Sequence, residues 1–149
     1  MRRVLVPTDF SPCSRRAFSF ALGLGRETPL SITLIHVFDQ RLVDYLIQVE
    51  GISEEGVRER MLLRARASIS ELFAGGPRTD TPVDMVFLQG IPDEAILAYA
   101  KDQGADWIVL GISMEHEWNL RRRSVADRLL AGAAFPVLVV KDSAPVEVA

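Results

Sequence analysis

The chain has 149 residues, 48% of them hydrophobic and 25% charged. That supports one sizeable core and excludes disorder of the whole chain, which needs low hydrophobicity and high net charge. Seventeen Lys and Arg against twenty Asp and Glu leave a formal net charge of -3, which argues against a generally basic nucleic-acid binder.

Val4-Leu5-Val6, followed by Pro7-Thr8-Asp9, reads as a short buried strand ending in a loop. Ser11-Pro12 then offers an N-cap and a proline at the first helical position, where its missing N–H is no loss. Ala17, Phe18, Ala21 and Leu22 recur at helical spacing, and Gly25 or Thr28-Pro29 closes that helix. Leu30 to Val37 is a second strand, so the first forty residues form a βαβ unit with a right-handed crossover. Phe38 to Gly51 is less regular, with Val43, Leu46, Ile47 and Val49 suggesting a short amphipathic turn or a flap.

From about Ser53 to Phe73, Met61, Leu62, Ala65, Ile69 and Leu72 make one helical stripe, closed by Gly75-Gly76-Pro77. Val83 to Leu88 is a third strand, and Gly90-Ile91-Pro92 opens a helix with Asp93 and Glu94 in its first turn, the favoured sign there. Asp106 to Leu110 is nearly continuous in apolar side chains, as a central parallel strand should be. After a polar stretch, Ser124-Val125-Ala126-Asp127 has capping-box form and starts a helix to about Gly132. Pro136 to Val140 is a fifth strand, and residues from Asp142 form a tail.

Five strands alternating with four helices predict one α/β domain over residues 1–149, with its core at about 2–141 and a short tail at 142–149. Its sheet is open and mostly parallel, with helices on both faces. In such sheets ligands sit outside the C-terminal strand ends, where strand order reverses, so the ends of the first and fourth strands are the first places to look. The single Cys13 fits a reducing compartment. No apolar run approaches the roughly 20 residues that span a bilayer, and Asp9 soon interrupts the apolar start. The expected location is cytoplasmic, away from membranes.

Several of these segments together resemble the universal stress protein family. They are Val4-Leu5-Val6-Pro7-Thr8-Asp9-Phe10-Ser11, Leu34-Ile35-His36-Val37, Gly90-Ile91-Pro92-Asp93-Glu94-Ala95-Ile96, Gly104 through Gly111, Ser124 through Asp127, and Pro136 through Val140. The resemblance implies a sheet of order 3-2-1-4-5 in the adenine nucleotide alpha hydrolase-like class, usually as a cytoplasmic homodimer induced by stress. One branch of that family binds ATP and another does not. By the resemblance, Asp9 matches the aspartate of the adenosine site and Val37 the residue whose backbone meets the adenine. Gly111 matches the first glycine of the pattern G-x-x-G-x(9)-G-[ST], and Ser124 its hydroxyl residue. The departures fall at the phosphates, where Met114 and Arg123 replace the other two glycines and the interval from Gly111 to Ser124 is one residue short.

Each candidate also has a plainer role. Asp9 can bind a ribose or shape the turn before Ser11; Ser124 caps a helix whose N-terminus can also hold an anion. Fifteen of the seventeen basic residues are Arg, a bias that base composition alone produces. Arg121, Arg122 and Arg123 are either solvated or dimer-facing, or they compensate for the missing glycines. Met114 and Trp118 can cover a pocket, plug it or face a partner. His36 and His116 make no convincing hydrolytic triad with a Ser and Asp9, because no G-x-S-x-G elbow is present, and His36 reads as a satisfied strand-end residue. Neither a zinc ligand cluster nor a calcium loop is seen.

The exposed backbone of the Pro136, Val137, Leu138, Val139 and Val140 strand would be covered by a second copy of the chain. The expectation is a non-enzymatic stress-response or regulatory homodimer with weak, altered or absent ATP binding, open to a regulatory protein partner. The alternative is a working adenine-nucleotide binder with slow ATP hydrolysis, using Mg2+ only if its phosphate site works. Nucleic-acid binding is disfavoured by the acidic balance.

Overall fold

The computed structural model describes residues 1–74, 79–113 and 125–142. Five strands, β1 (Arg2–Pro7), β2 (Leu30–Asp39), β3 (Val83–Gly90), β4 (Trp107–Ser113) and β5 (Val137–Asp142), form one sheet of order β3-β2-β1-β4-β5. Every pairing is parallel. The helices are α1 (Pro12–Glu27), α2 (Gln40–Gln48), α3 (Glu54–Ala74), α4 (Pro92–Gln103) and α5 (Val125–Gly132).

Alternation along the strands divides the core into two layers. Val4, Val6, Ile32, Leu34 and Val109 face α1, meeting Ala17, Phe18, Ala21 and Leu22 there and Leu72 of α3. On the opposite face Leu5, Ile35, Ile108 and Leu110 meet Ile96 and Ala100 of α4 and Leu129 of α5. The apolar runs of β1, β2 and β4 are therefore continuous because both faces are covered.

The local punctuation acts as its chemistry dictates. Ser11 caps α1 with Pro12 in the first turn, and its hydroxyl accepts from the Ser14 N–H. Gly104 ends α4 in the left-handed conformation, φ 64°, returning its N–H to Ala100 and Lys101 carbonyls. Gly25, a sequence candidate for the end of α1, lies inside the helix, which closes at Glu27 with Thr28 as its cap.

One segment differs from expectation. Residues after Phe38 form neither a turn nor a flap: β2 continues to Asp39, and α2 follows at once. Asp39 caps it, its carboxylate accepting from the Arg41 N–H at 2.9 Å while Val43 is buried. The chain therefore has five helices among its described residues, one more than the periodicity suggested.

Candidate functional site

Strand order reverses at β1. The first crossover leads from β1 to β2 on one side, and the chain later returns through β4 on the other. The crevice that such a reversal creates lies outside the C-terminal ends of β1 and β4. Its floor is the loop Thr8-Asp9-Phe10-Ser11 between β1 and α1.

That loop is held by its own short polar side chains. The Thr8 N–H donates to the Ile35 carbonyl at 2.8 Å. The Thr8 hydroxyl accepts from the Phe10 N–H at 3.0 Å and lies 3.1 Å from the Ser14 hydroxyl. Thr8 and Ser14 are both buried, so these bonds satisfy groups that water does not reach. Phe10 takes the left-handed conformation at φ 63°, a strained choice for a residue with a Cβ. Arg15 Nε donates to the Phe10 carbonyl at 3.2 Å, and the Phe10 ring packs 4.8 Å from that of His36. Strain of this kind survives only where surrounding contacts over-determine the backbone.

Asp9 stands at the surface end of the loop. Its Oδ1 accepts from the Ser11 N–H at 2.9 Å. Partial burial favours the neutral acid, but hydrogen bonds from the Ser11 hydroxyl and N–H, with Ser14 and the Asp9 backbone, outweigh it and hold the pKa below the usual carboxylate value. Asp9 is thus an ionised acceptor at neutral pH. It shapes the turn, as the plainer reading of the sequence had it, and it lies at the crevice as well.

Val37 owes its place to a difference in strand length. Pairing between β1 and β2 stops at Pro7 and Ile35, whereas β2 runs on to Asp39 beside β3. The Ile35 carbonyl points to the β1 side, toward Thr8. Backbone direction alternates along a strand, so the N–H and C=O of Val37 point to that side too, beyond the end of β1. A donor and an acceptor from one residue face the crevice, while the Val37 side chain packs into the opposite core layer.

Gly111 is on β4, opposite Val140 of β5. A Cβ there would strike the Cys13 carbonyl and crowd the Ser14 nitrogen in the first turn of α1. Its lack of a side chain is what lets β4 approach the N-terminus of α1 so closely. Cys13 is partly buried, with its Sγ 3.1 Å from the Ser11 hydroxyl.

His36 is satisfied, as its strand-end position suggested. Its Nδ1 lies 2.8 Å from the Thr8 carbonyl oxygen. A carbonyl only accepts, so Nδ1 carries the proton. The ring also meets Phe38 edge-on at 5.3 Å, and Phe38 stacks on Phe87 at 5.6 Å with the planes 7° apart. This aromatic group lies on the α1 and α3 side of the sheet, under the C-terminal ends of β2 and β3.

Sequence reasoning missed several groups around the mouth. Asp39 pairs with Arg41 through bonds of 3.0 and 2.7 Å. Its pKa is lowered mainly by the hydrogen bond from the Arg41 side chain, with the charges of Arg41 and Arg128 adding to this. Asp93 and Arg128 join α4 to α5 at 3.0 Å. An Asp three residues ahead of the first of the helically spaced apolar positions Leu42, Val43, Leu46 and Ile47 was a cap signal that could have found Asp39. No local signal pairs Asp93 with a residue 35 positions away.

Ser124 and Arg123, with Arg121, Arg122, Met114, His116 and Trp118, lie outside the described residues. So does the tail beyond Asp142. The strand predicted at Pro136 is observed from Val137, and β5 is a sheet edge. Leu138 on that edge is 38% exposed, and Val137 and Val140 pack into opposite core layers. Among the described residues no helix is long and apolar enough to cross a membrane, and no cluster of three or more His, Cys, Asp or Glu could hold a metal.

The universal stress protein family pattern matches residues 1–141. The chain belongs to the universal stress protein family. A universal stress protein of Thermus aquaticus, known as that in the QAH/OAS sulfhydrylase 3' region, is 32% identical over 94% of this chain and 98% of its own. Universal stress protein MJ0577 of Methanocaldococcus jannaschii is 25% identical over 94% of each chain. The solved MJ0577 structure superposes with a TM-score of 0.75 over 96% of this chain and 97% of its own, at 24% identity. A family member from Arabidopsis thaliana, solved with AMP bound, has the same fold at 19% identity, with a TM-score of 0.65 over 97% and 94% of the two chains.

Proposed function

We propose that this chain is a non-enzymatic stress-response protein that binds an adenine nucleotide through its base and ribose and works as a cytoplasmic homodimer. The observation that carries this reading is the overhang of β2 past β1. It aims the N–H and C=O of Val37 into the crevice, a donor–acceptor pair matching the adenine edge that offers N1 as acceptor and the 6-amino group as donor. The ionised Asp9 at the same mouth is a suitable acceptor for ribose hydroxyls. The AMP bound by the Arabidopsis relative is of this ligand class.

Binding rather than catalysis is the reading because the groups a hydrolytic scheme would recruit are engaged in shaping the loop. His36 Nδ1 is spent on the Thr8 carbonyl and Asp9 on the Ser11 N–H. The terminal phosphates of ATP contribute little to affinity, since Met114 and Arg123 stand where close backbone approach calls for glycine. Dimerisation uses the exposed edge of β5. Any output passes to a regulatory protein partner through the occupied or empty state of the crevice.

Calorimetric titration of the purified protein with AMP and with ATP, with and without Mg2+, tests this. Mass spectrometry of any nucleotide retained through purification complements it. The expected result is saturation by AMP, ATP binding no tighter than AMP, and no dependence on Mg2+. A flat AMP titration would overturn the binding reading. ATP binding that tightens markedly with Mg2+, accompanied by ADP formation, would favour the hydrolytic alternative instead.

A further inference from the structure

Two side chains from different elements grip the backbone on either side of Asp9. His36 of β2 donates from Nδ1 to the Thr8 carbonyl at 2.8 Å, and Arg15 of α1 donates from Nε to the Phe10 carbonyl at 3.2 Å. A peptide unit is planar and trans, so its N–H points away from its C=O. The Thr8 carbonyl shares its plane with the Asp9 N–H, and the Phe10 carbonyl shares its plane with the Ser11 N–H. Both of those N–H groups serve the Asp9 carboxylate. Ser11 donates to Oδ1 at 2.9 Å, and the bond from the Asp9 N–H also favours the ionised acid. His36 and Arg15 thus hold, from the far side of two peptide planes, the backbone donors that aim the carboxylate.

The loop would not keep this shape by local preference. Phe10, between the two planes, has φ 63°, a conformation that a Cβ disfavours and that persists only where neighbours over-determine it. The grips are themselves fixed. The His36 ring is wedged between Phe10 at 4.8 Å and Phe38 at 5.3 Å, with Phe87 edge-on at 6.4 Å. Arg15 is tied further out to Glu71 of α3 at 3.5 Å.

We propose that His36 and Arg15 are positioning residues for ribose recognition, each turning one peptide so that Asp9 presents its carboxylate to the sugar hydroxyls. This rests on the adenine-nucleotide reading above and adds to it how the sugar, as distinct from the base, is read. Both residues act through the backbone behind the acid.

The test compares AMP with 2',3'-dideoxyadenosine monophosphate, which lacks both ribose hydroxyls, by calorimetry on the full chain. The unsubstituted protein is expected to prefer AMP by about tenfold, as a hydrogen bond to a charged acceptor provides. His36→Phe keeps a ring against Phe10 and Phe38 but has no donor, and Arg15→Met keeps the stem without the guanidinium. Each should bind AMP about fivefold more weakly and the dideoxy nucleotide within about twofold of the parent. His36→Asn, whose amide nitrogen stands as far from Cβ as Nδ1 does, should restore most of the preference. In an Asp9→Asn background, His36→Phe should cost AMP binding nothing further, because the two residues act as one unit. Without any nucleotide, carbon NMR should show the Asp9 carboxyl titrating at higher pH in both variants than in the parent, as its backbone donors turn away.

Equal losses for the two nucleotides would mean a merely structural role and overturn the inference. So would AMP binding unchanged in both variants, or a full further loss in the Asp9→Asn background. If the parent binds neither nucleotide, the adenine-nucleotide reading falls, and this inference with it. If it binds both and the variants do not separate them, only the positioning inference falls. Should His36→Phe fail to fold, Arg15→Met, a change at a more exposed side chain, carries the same comparison.

Discussion

Gly111→Ala tests whether β4 and α1 are as close as the packing requires. The new methyl would meet the backbone of Cys13 and Ser14, not the end of a flexible side chain. For the helix to yield, it would have to loosen the buried Thr8–Ser14 hydroxyl contact and lift Ala17, Phe18 and Ala21 from the core. Overpacking of this sort costs about 1–3 kcal/mol and more where the backbone must move, so roughly 2–4 kcal/mol is expected. Against this, the lower chain entropy of alanine returns only about 0.4–1 kcal/mol. For a chain of this size the balance corresponds to a fall in Tm of about 3–12 °C. Thermal unfolding followed by circular dichroism measures it. Gly23→Ala is the control: nothing lies within 4 Å of its Cβ position on α1, so better helix propensity should stabilise by about 0.5–1 kcal/mol. A Gly111→Ala protein melting within about 2 °C of the parent would refute the close approach. The glycine would then need another reason, such as backbone contact with a ligand.

Three further outcomes are expected. The folded-state pKa of Asp9 is depressed, so its contribution to stability is present above the unfolded carboxylate pKa and disappears as pH falls through the lower folded value. Denaturant titrations should show the parent more stable than Asp9→Asn at pH 7, with the gap closing in acid; a gap independent of pH would contradict this. Gly104→Ala should lose about 1 kcal/mol in the same assay, because φ 64° at the end of α4 favours glycine over a residue with a Cβ such as alanine; an unchanged midpoint would show that α4 ends differently. Leu138→Lys, a charge on the exposed β5 edge, should give a monomer of unchanged circular dichroism by light scattering. A folded dimer would place the subunit contact elsewhere.

Much of the fold was legible because its cues are local. Ser11-Pro12 marks the start of α1 through one hydroxyl and one missing N–H. The apolar runs of β2 and β4 follow from burial on both faces. In α2 the same logic was hidden, since Asp39 ends a strand and begins a helix with no loop between, so two periodicities abut. For the candidate site, Asp9, Val37 and Gly111 were recognisable by likeness, but the reason each is placed as it is was not. Val37 depends on two strands ending at different heights, and Gly111 on the backbone of a helix almost a hundred residues earlier.

Residue order by itself determined the alternation of strands and helices, the caps and the family, because propensity, capping and side-chain period act over a few neighbours. Only the tertiary structure decided how those parts meet: the overhang that turns the Val37 backbone to the crevice, the aromatic group around His36, and the Asp93–Arg128 bond across 35 residues. Those depend on strand register and helix docking, and packing sets both after the local elements exist.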